Sequence, residues 1–259
     1  MNQSEKRLFL IRSLLEEQPE IRNIEIPSEE TEQKRLLRSL FNIRMPGVIG
    51  DDFLTIQDAY LQTATEEKGI TDVADLTPVQ PDLYLWRGDI TTLRCGGIVN
   101  AANSGMTGCY QPCHSCIDNC IHTYAGIQLR NACAELMEAQ GHEEPTGGCK
   151  VTPAFNLPCG YVLHTVGPIV DGPLTERHEV QLASCYRSCL RVAETHGIKS
   201  VAFCCISTGV FRFPHQRAAE IAVDTVKQYK TSTHSEIKVI FNVFTKQDEA
   251  IYRHVLGIA

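Results

Sequence analysis

From Pro78 onward the chain alternates short β-rich runs with amphipathic stretches, and this alternation limits the fold more than any other feature. The β-rich runs are 83–86, 97–100, 161–166, 201–206 and 237–244, and apolar residues recur at helical spacing over about 119–140, 176–197, 215–230 and 247–256. Strands separated by helices pair in parallel, because a parallel connection needs a crossover, and the crossover helices then cover the sheet on both faces. The expected architecture is a three-layer α/β/α sandwich around a mixed, mainly parallel sheet. Ligands on such a sheet bind beyond the carboxyl ends of its strands.

The first eighty residues read differently. Leu8, Ile11, Leu14 and Leu15, then Leu36, Leu37, Leu40 and Phe41, then Phe53, Leu54, Ile56, Tyr60 and Leu61 follow helical periodicity, which predicts three or four helices before about Thr77. The expected division is a helical N-terminal extension, 1–80, and an α/β domain, 81–259. Charge divides at the same place. Of 31 acidic and 24 basic residues, 15 and 9 lie in 1–80, so the extension carries -6 of the net -7. A clustered basic surface for phosphate neutralisation is missing, so no nucleic-acid partner is expected. No apolar run approaches about 18 residues, so no membrane-spanning helix is expected. The N-terminus has charges on both sides of a short amphipathic stretch and lacks a secretory signal, so a cytoplasmic location is expected. Twelve cysteines in that compartment are not expected to form a disulfide framework.

Chemistry is therefore sought just after each strand. The first strand runs into Gly88, Asp89, Ile90 and Thr91, where Asp89 can accept from an exocyclic amine such as that of adenine or cap the helix starting at Ile90. The second ends in 98–105, where Asn103 is free to meet sugar hydroxyls and Asn100 is expected only to satisfy turn backbone. The strand near 201–206 empties into Ser207, Thr208, Gly209, Val210 and Phe211, whose successive N–H groups suit a diphosphate, with Phe211 placed to cover a ribose. That loop lacks the lysine and spacing of a nucleoside-triphosphate P-loop.

Between Asn103 and the next helix lie Cys109, Cys113, Cys116, Cys120, His114 and His122, four cysteines and two histidines within fourteen residues. Thiolate with imidazole favours zinc. Cys109, His114 and Cys116 can close around one ion, whereas Cys120 and His122 fall where the helix has begun. Cys113 is the rival ligand through its C-x-x-C pairing with Cys116. Three protein ligands leave a position open for chemistry, and four make a structural clip. Elsewhere, His164, Cys204 and Cys205 are expected to pack in strands, and Trp86 at the end of the first strand.

In order, GDIT, VNAAN, IDNCIHTYAG, HTVGP and STGVFRFP resemble the macrodomain family of ADP-ribose-binding modules and hydrolases, over residues 83 to about 255. Segment 117–126 is similar to the MacroD-type pattern V-D-G-x-I-H-x-A-A-G. The resemblance implies Asp118 as catalytic aspartate and Asn103 as the ribose-contacting asparagine, with both counted in the catalytic set. It also implies adenine contacts at Asp89 and Ile90, further ADP-ribose contacts at Cys116, Ile117 and Asp118, and a diphosphate and distal-ribose loop from Ser207 to Phe211. Where MacroD-type enzymes carry a glycine-rich run, this chain has the insertion 109–116. That departure resembles zinc-dependent microbial macrodomains, in which the Zn2+ ligands match Cys109, His114 and Cys116. Members of that subgroup remove mono-ADP-ribose from acidic side chains of proteins, including a lipoyl-carrier protein modified by a class M sirtuin. The alternatives from other classes are an ADP-ribose reader, an O-acetyl-ADP-ribose deacetylase and a zinc-clip interaction module.

Overall fold

Residues 1–258 are described by a computed structural model. Three helices come first, α1 (Gln3–Glu16), α2 (Glu30–Ile43) and α3 (Asp51–Lys68). A capping box starts α1, with the Asn2 side chain accepting from the Glu5 N–H and Glu5 returning the bond. Their apolar faces enclose Leu10, Ile11, Leu14, Leu37, Leu40, Phe41, Phe53, Tyr60 and Leu61. No fourth helix follows. Instead come a two-residue strand, β1 (Thr71–Asp72), and a 3-10 turn over Val73–Asp75.

The α/β part runs β2 (Leu83–Arg87), a 3-10 turn (Ile90–Thr92), β3 (Leu93–Arg94), β4 (Gly97–Ala102), α4 (Ile117–Ala125) and α5 (Ile127–Gln140). It continues β5 (Cys149–Pro153), β6 (Tyr161–Val166), α6 (Glu176–Thr195), β7 (Ser200–Phe203), α7 (His215–Thr233), β8 (Lys238–Val243) and α8 (Lys246–Leu256). The six-stranded sheet has the order β2-β8-β7-β4-β6-β5, and β1 pairs with β3 separately. All its pairings are parallel except β5 against β6. The sheet is mixed and mainly parallel, flanked by helices in the expected three-layer arrangement. Its carboxyl ends carry the loops after β2, β4, β7 and β8 to one edge.

Four local expectations change. The single helical stretch 119–140 is two helices, starting at Ile117 and broken at Gly126, whose φ is 92°. A φ of 92° is strained for any residue with a side chain, and a Cβ there would also crowd the ends of Gln57 and Gln128 at 2.7 Å, so the junction favours glycine. Strand β5 was not anticipated, because its residues CKVTP are half-polar and mostly half-buried at the sheet's antiparallel edge. The strand expected over 201–206 stops at Phe203. Strand β4 runs past Asn100 to Ala102, which puts Asn100 mid-strand instead of in a turn.

The extension is fastened to the α/β part by buried and half-buried polar bonds. Asp58 Oδ1 accepts from Asn156 Nδ2 (2.7 Å) and Gln128 Nε2 (2.8 Å), and Gln57 Oε1 accepts from the Ile127 N–H (3.0 Å). Arg130 of α5, 5% exposed, donates to the carbonyls of Phe41 (3.1 Å), Asn42 (2.8 Å) and Arg44 (2.5 Å), where α2 ends. A cation satisfies helix-end carbonyls and the helix dipole together. Arg130→Ala is therefore expected to cost about 2–4 kcal/mol in urea unfolding, because buried acceptors lose a charged donor. A loss under about 1 kcal/mol would show that water replaces it without penalty.

Candidate active site

Asp118 occupies the first turn of α4, whose N-cap is Cys116. It is 5% exposed, and its two oxygens accept from Asn100 Nδ2 (2.8 Å) and Asn103 Nδ2 (3.3 Å). Burial pushes its carboxyl up to about 6, opposed by the Asn100 bond, the Arg130 charge and the Asn103 bond. A buried carboxyl in that range can take or release a proton near neutrality.

Asn100 has the role that a turn reading denied it. Paired in register with His164 across β4 and β6, it points its amide to Asp118 and also lies 3.2 Å from His164 Nδ1. The other ring nitrogen of His164 is 3.0 Å from Thr152 Oγ1 on β5. His164 packs in its strand as expected, and burial depresses it to about 3. His122, one turn after Asp118, has Nε2 3.5 Å from Asp118 Oδ1. Burial first, then His164 and Arg130, keep His122 neutral. The donor atoms of His122, Cys133 and His164 also lie within 4.8 Å of one another. Both nitrogens of His164 are already engaged, so this second group reads as polar packing.

In the cysteine-rich loop, Cys109 Sγ lies 3.7 Å from His114 Nδ1, and these atoms and Cys116 Sγ all fall within 4.8 Å of one another. Cys113 is turned away, with its sulfur 3.2 Å from Ser39 Oγ and 3.4 Å from the Arg35 carbonyl of α2. Two thiols and an imidazole at this spacing suit a soft, four-coordinate cation with one open position. Burial, with the Cys109 and Asp118 charges adding, pushes the Cys116 thiol up to about 12, so a cation is what would hold it as a thiolate.

The loop is shaped by groups the sequence did not flag. Asn119 donates to the carbonyls of Cys109 (3.3 Å) and Gln111 (2.9 Å). Arg38 of α2 donates to Asn119 Oδ1 (2.9 Å) and to the His114 carbonyl (2.7 Å). Asn42 accepts from the Cys113 N–H (2.9 Å). The Arg130 guanidinium lies 4.3 Å from the centre of the Tyr110 ring. Gly108, at φ 88°, lies against His122, whose ring would meet a Cβ at 2.8 Å.

The loop after β7 turns sharply, with Ser207 at φ 66° and Arg212 at φ 57°. Among the described residues, the N–H groups of Gly209, Val210 and Phe211 donate to no acceptor, while Thr208, Arg212 and Phe213 are paired. Three free consecutive amides at a strand mouth form an anion-binding concavity. At the far end of this edge, Asp89 caps the 3-10 turn through the Thr91 N–H (3.0 Å) and hydroxyl (2.6 Å), and Lys68 of α3 reaches its other oxygen (3.2 Å). Burial would raise Asp89, but the Thr91 and Lys68 contacts outweigh it and hold the carboxyl below its ordinary range. Ile90 is buried beside it. Phe244, 75% exposed just past β8, lies next to the end of β2 and was missed as a candidate. An aromatic one residue beyond a buried strand was the available signal.

The family model described as Macro domain matches residues 99–222. A protein-ADP-ribose hydrolase of Treponema medium is 60% identical over 99% of this chain and 100% of its own length. The chain belongs to the macrodomain family. This macrodomain protein is also 45% identical to a protein-ADP-ribose hydrolase of Staphylococcus aureus, over 96% of the chain and 94% of that protein. An Oceanobacillus iheyensis macrodomain solved with ADP superposes with a TM-score of 0.61 at 35% identity, covering 68% of this chain and 90% of that one. The Trypanosoma brucei macrodomain in complex with ADP-ribose gives 0.67 at 27% identity, covering 85% and 95%.

The buried neutral His164 makes stability depend on pH. An unfolded histidine protonates near 6.5, whereas folded His164 stays neutral to about 3. Unfolding between those values takes up a proton, so its contribution is complete above about 6.5 and lost as pH falls, at up to about 1.4 kcal/mol per pH unit. Urea unfolding between about pH 7 and about pH 5 is expected to show a steeper loss in wild type than in His164→Gln. Parallel slopes would contradict a neutral buried imidazole.

Proposed function

We propose that this macrodomain protein hydrolyses the linkage between mono-ADP-ribose and an acidic side chain of a modified protein, and that it does so with zinc held by Cys109, His114 and Cys116. The observation that carries the reading is the adjacency of that triad to Asp118. Cys116 caps the helix whose first turn holds the buried carboxyl, so both lie at the same strand mouth. The naming of full-length relatives as protein-ADP-ribose hydrolases supports the reaction class, and the Trypanosoma brucei complex supports ADP-ribose as the ligand. No helix among the described residues is long and apolar enough to cross a membrane, and the proposal takes the protein to act in the cytoplasm.

In this reading Asp89 and Ile90 meet the adenine, and Phe244 offers it a flat apolar face. The free N–H groups of 209–211 receive the diphosphate, with Ser207 and Thr208 beside them. Asn103, Cys116 and Ile117 border the distal ribose. Hydrolysis breaks the bond between the anomeric carbon and the carboxylate oxygen, or attacks the acyl carbon, and both routes need a placed water. Asp118 orients that water and takes its proton. Asn100 and Asn103 fix the carboxylate, and His164 and Thr152 fix Asn100, so no reorganisation is needed at the moment of reaction. Cys109, His114 and Cys116 would hold zinc, which when bound would supply a fixed positive charge, tempered by two thiolate ligands toward orienting a ligand more than acidifying it. Residues 1–80 serve as the brace of the metal loop, through Arg38 and Asn42. The first substrate to try is a lipoyl-carrier protein modified by a class M sirtuin, as the sequence resemblance implies.

Released ADP-ribose, zinc content and ADP-ribose affinity test the proposal together. Asp118→Ala is expected to slow release at least about 100-fold with ADP-ribose affinity nearly unchanged. Cys116→Ala is expected to lose zinc and release, and Cys113→Ala to keep both. Wild type that binds ADP-ribose tightly and releases none from any modified protein would instead be a reader. Arg38→Ala, which frees the His114 carbonyl, is expected to weaken zinc binding about 10- to 100-fold in chelator competition. Unchanged zinc affinity would remove α2 from the design of the loop.

A further inference from the structure

We infer that the cavity between the helical extension and α4 is a binding site for an amphipathic anion, an apolar body bearing one carboxylate or phosphate. This cavity, about 680 Å³, lies among α1, α2, α3 and α4 with Cys113 at one wall. None of the residues assigned to ADP-ribose above lines it. Its volume is in the range of small-molecule sites.

The lining has two characters. Leu37, Phe41, Tyr60 and Leu61 give a buried apolar floor, with half-buried Tyr124 beside them. Around them stand five cations, Arg7, Lys34, Arg35, Arg38 and Lys68, against two carboxylates, Glu30 and Glu67. This excess sits in the very segment whose net charge is -6, so average composition does not explain it. Glu30 is already shared, 2.7 Å from Lys34 and 3.5 Å from buried Arg7. Lys68 is committed to Asp89. Arg35 and Arg38, one helical turn apart on α2, have no carboxylate within 4.0 Å among the described residues. Like charges at this spacing repel, and a bound anion relieves the repulsion. Arg38 already donates to Asn119 and the His114 carbonyl, so the free guanidinium is that of Arg35, and an apolar floor beneath it selects a chain or ring with an anionic head over a neutral or cationic analogue.

Calorimetric titration of the full chain as purified, with octanoate, octylamine and octan-1-ol, tests the site. Octanoate is expected to bind and octylamine not. Arg35→Glu is expected to weaken octanoate about tenfold by reversing a charge that meets the head. Ala64→Trp, which fills the cavity, is expected to abolish binding, and ADP-ribose affinity is expected to stay unchanged in both variants. Absence of octanoate binding, equal binding of octylamine, or an octanoate affinity indifferent to both substitutions would overturn the inference. Displacement of octanoate by ADP-ribose would overturn it too, by merging the two sites.

Discussion

The Arg130 guanidinium is the constraint on which the site's construction depends. It is buried, and a cation so placed costs several kcal/mol unless oriented dipoles and an anion compensate it. The compensation comes from three separate parts of the fold: the carbonyls that end α2, the ring of Tyr110 in the cysteine-rich loop, and the nearby charge of Asp118. With the end of α2 held there, Arg38 and Asn42 are held as well, and they anchor the loop at the His114 carbonyl and the Cys113 N–H. The helical extension thereby helps build the candidate site. Its own small core even includes Ile127 of α5.

A second constraint is the dry polar line behind Asp118. Thr152, His164, Asn100 and the carboxylate come from three adjacent strands and the first turn of α4, and each is almost fully buried. Burying a polar group without a partner is costly, and although Asn100 Oδ1 is left without a donor, the bonds its amide nitrogen makes to Asp118 and His164 leave the line few alternative arrangements. The line holds the carboxyl in position and opposes, without cancelling, the rise in proton affinity that burial causes. The opposite end of the edge is built on other terms, with free backbone amides and an exposed aromatic awaiting a partner.

Much of this was legible in the sequence because it follows local periodicity. The helices of the extension, five of the six strands of the main sheet and the parallel character of that sheet all come from the spacing of apolar residues. The grouping of Cys109, His114 and Cys116 comes from density in one loop, though only the fold shows Cys113 turned toward Ser39. What the sequence concealed depends on distant contacts. Strand β5 has no apolar run of its own and is defined by pairing with β6. Asn100 reads as a turn residue until β4 extends past it and brings it opposite His164. The break at Gly126 answers to Gln57, and Arg38 meets a loop 76 residues later in the chain. Asp89 illustrates a third case: the sequence offers both a cap and a ligand contact, and the structure shows the cap through Thr91 and adds Lys68, a partner from α3 that local spacing could not reveal.

The most direct measurement is the rate at which ADP-ribose is released from a protein mono-ADP-ribosylated on an acidic side chain. It should be followed with the chain as purified, after metal removal by a chelator, and after a stoichiometric return of zinc, with ADP-ribose affinity measured in each state. Release is expected to fall with the metal and to recover with zinc, while affinity stays constant. Release that continues undiminished in the metal-free, folded and ligand-competent chain would contradict a catalytic role for the cysteine–histidine loop.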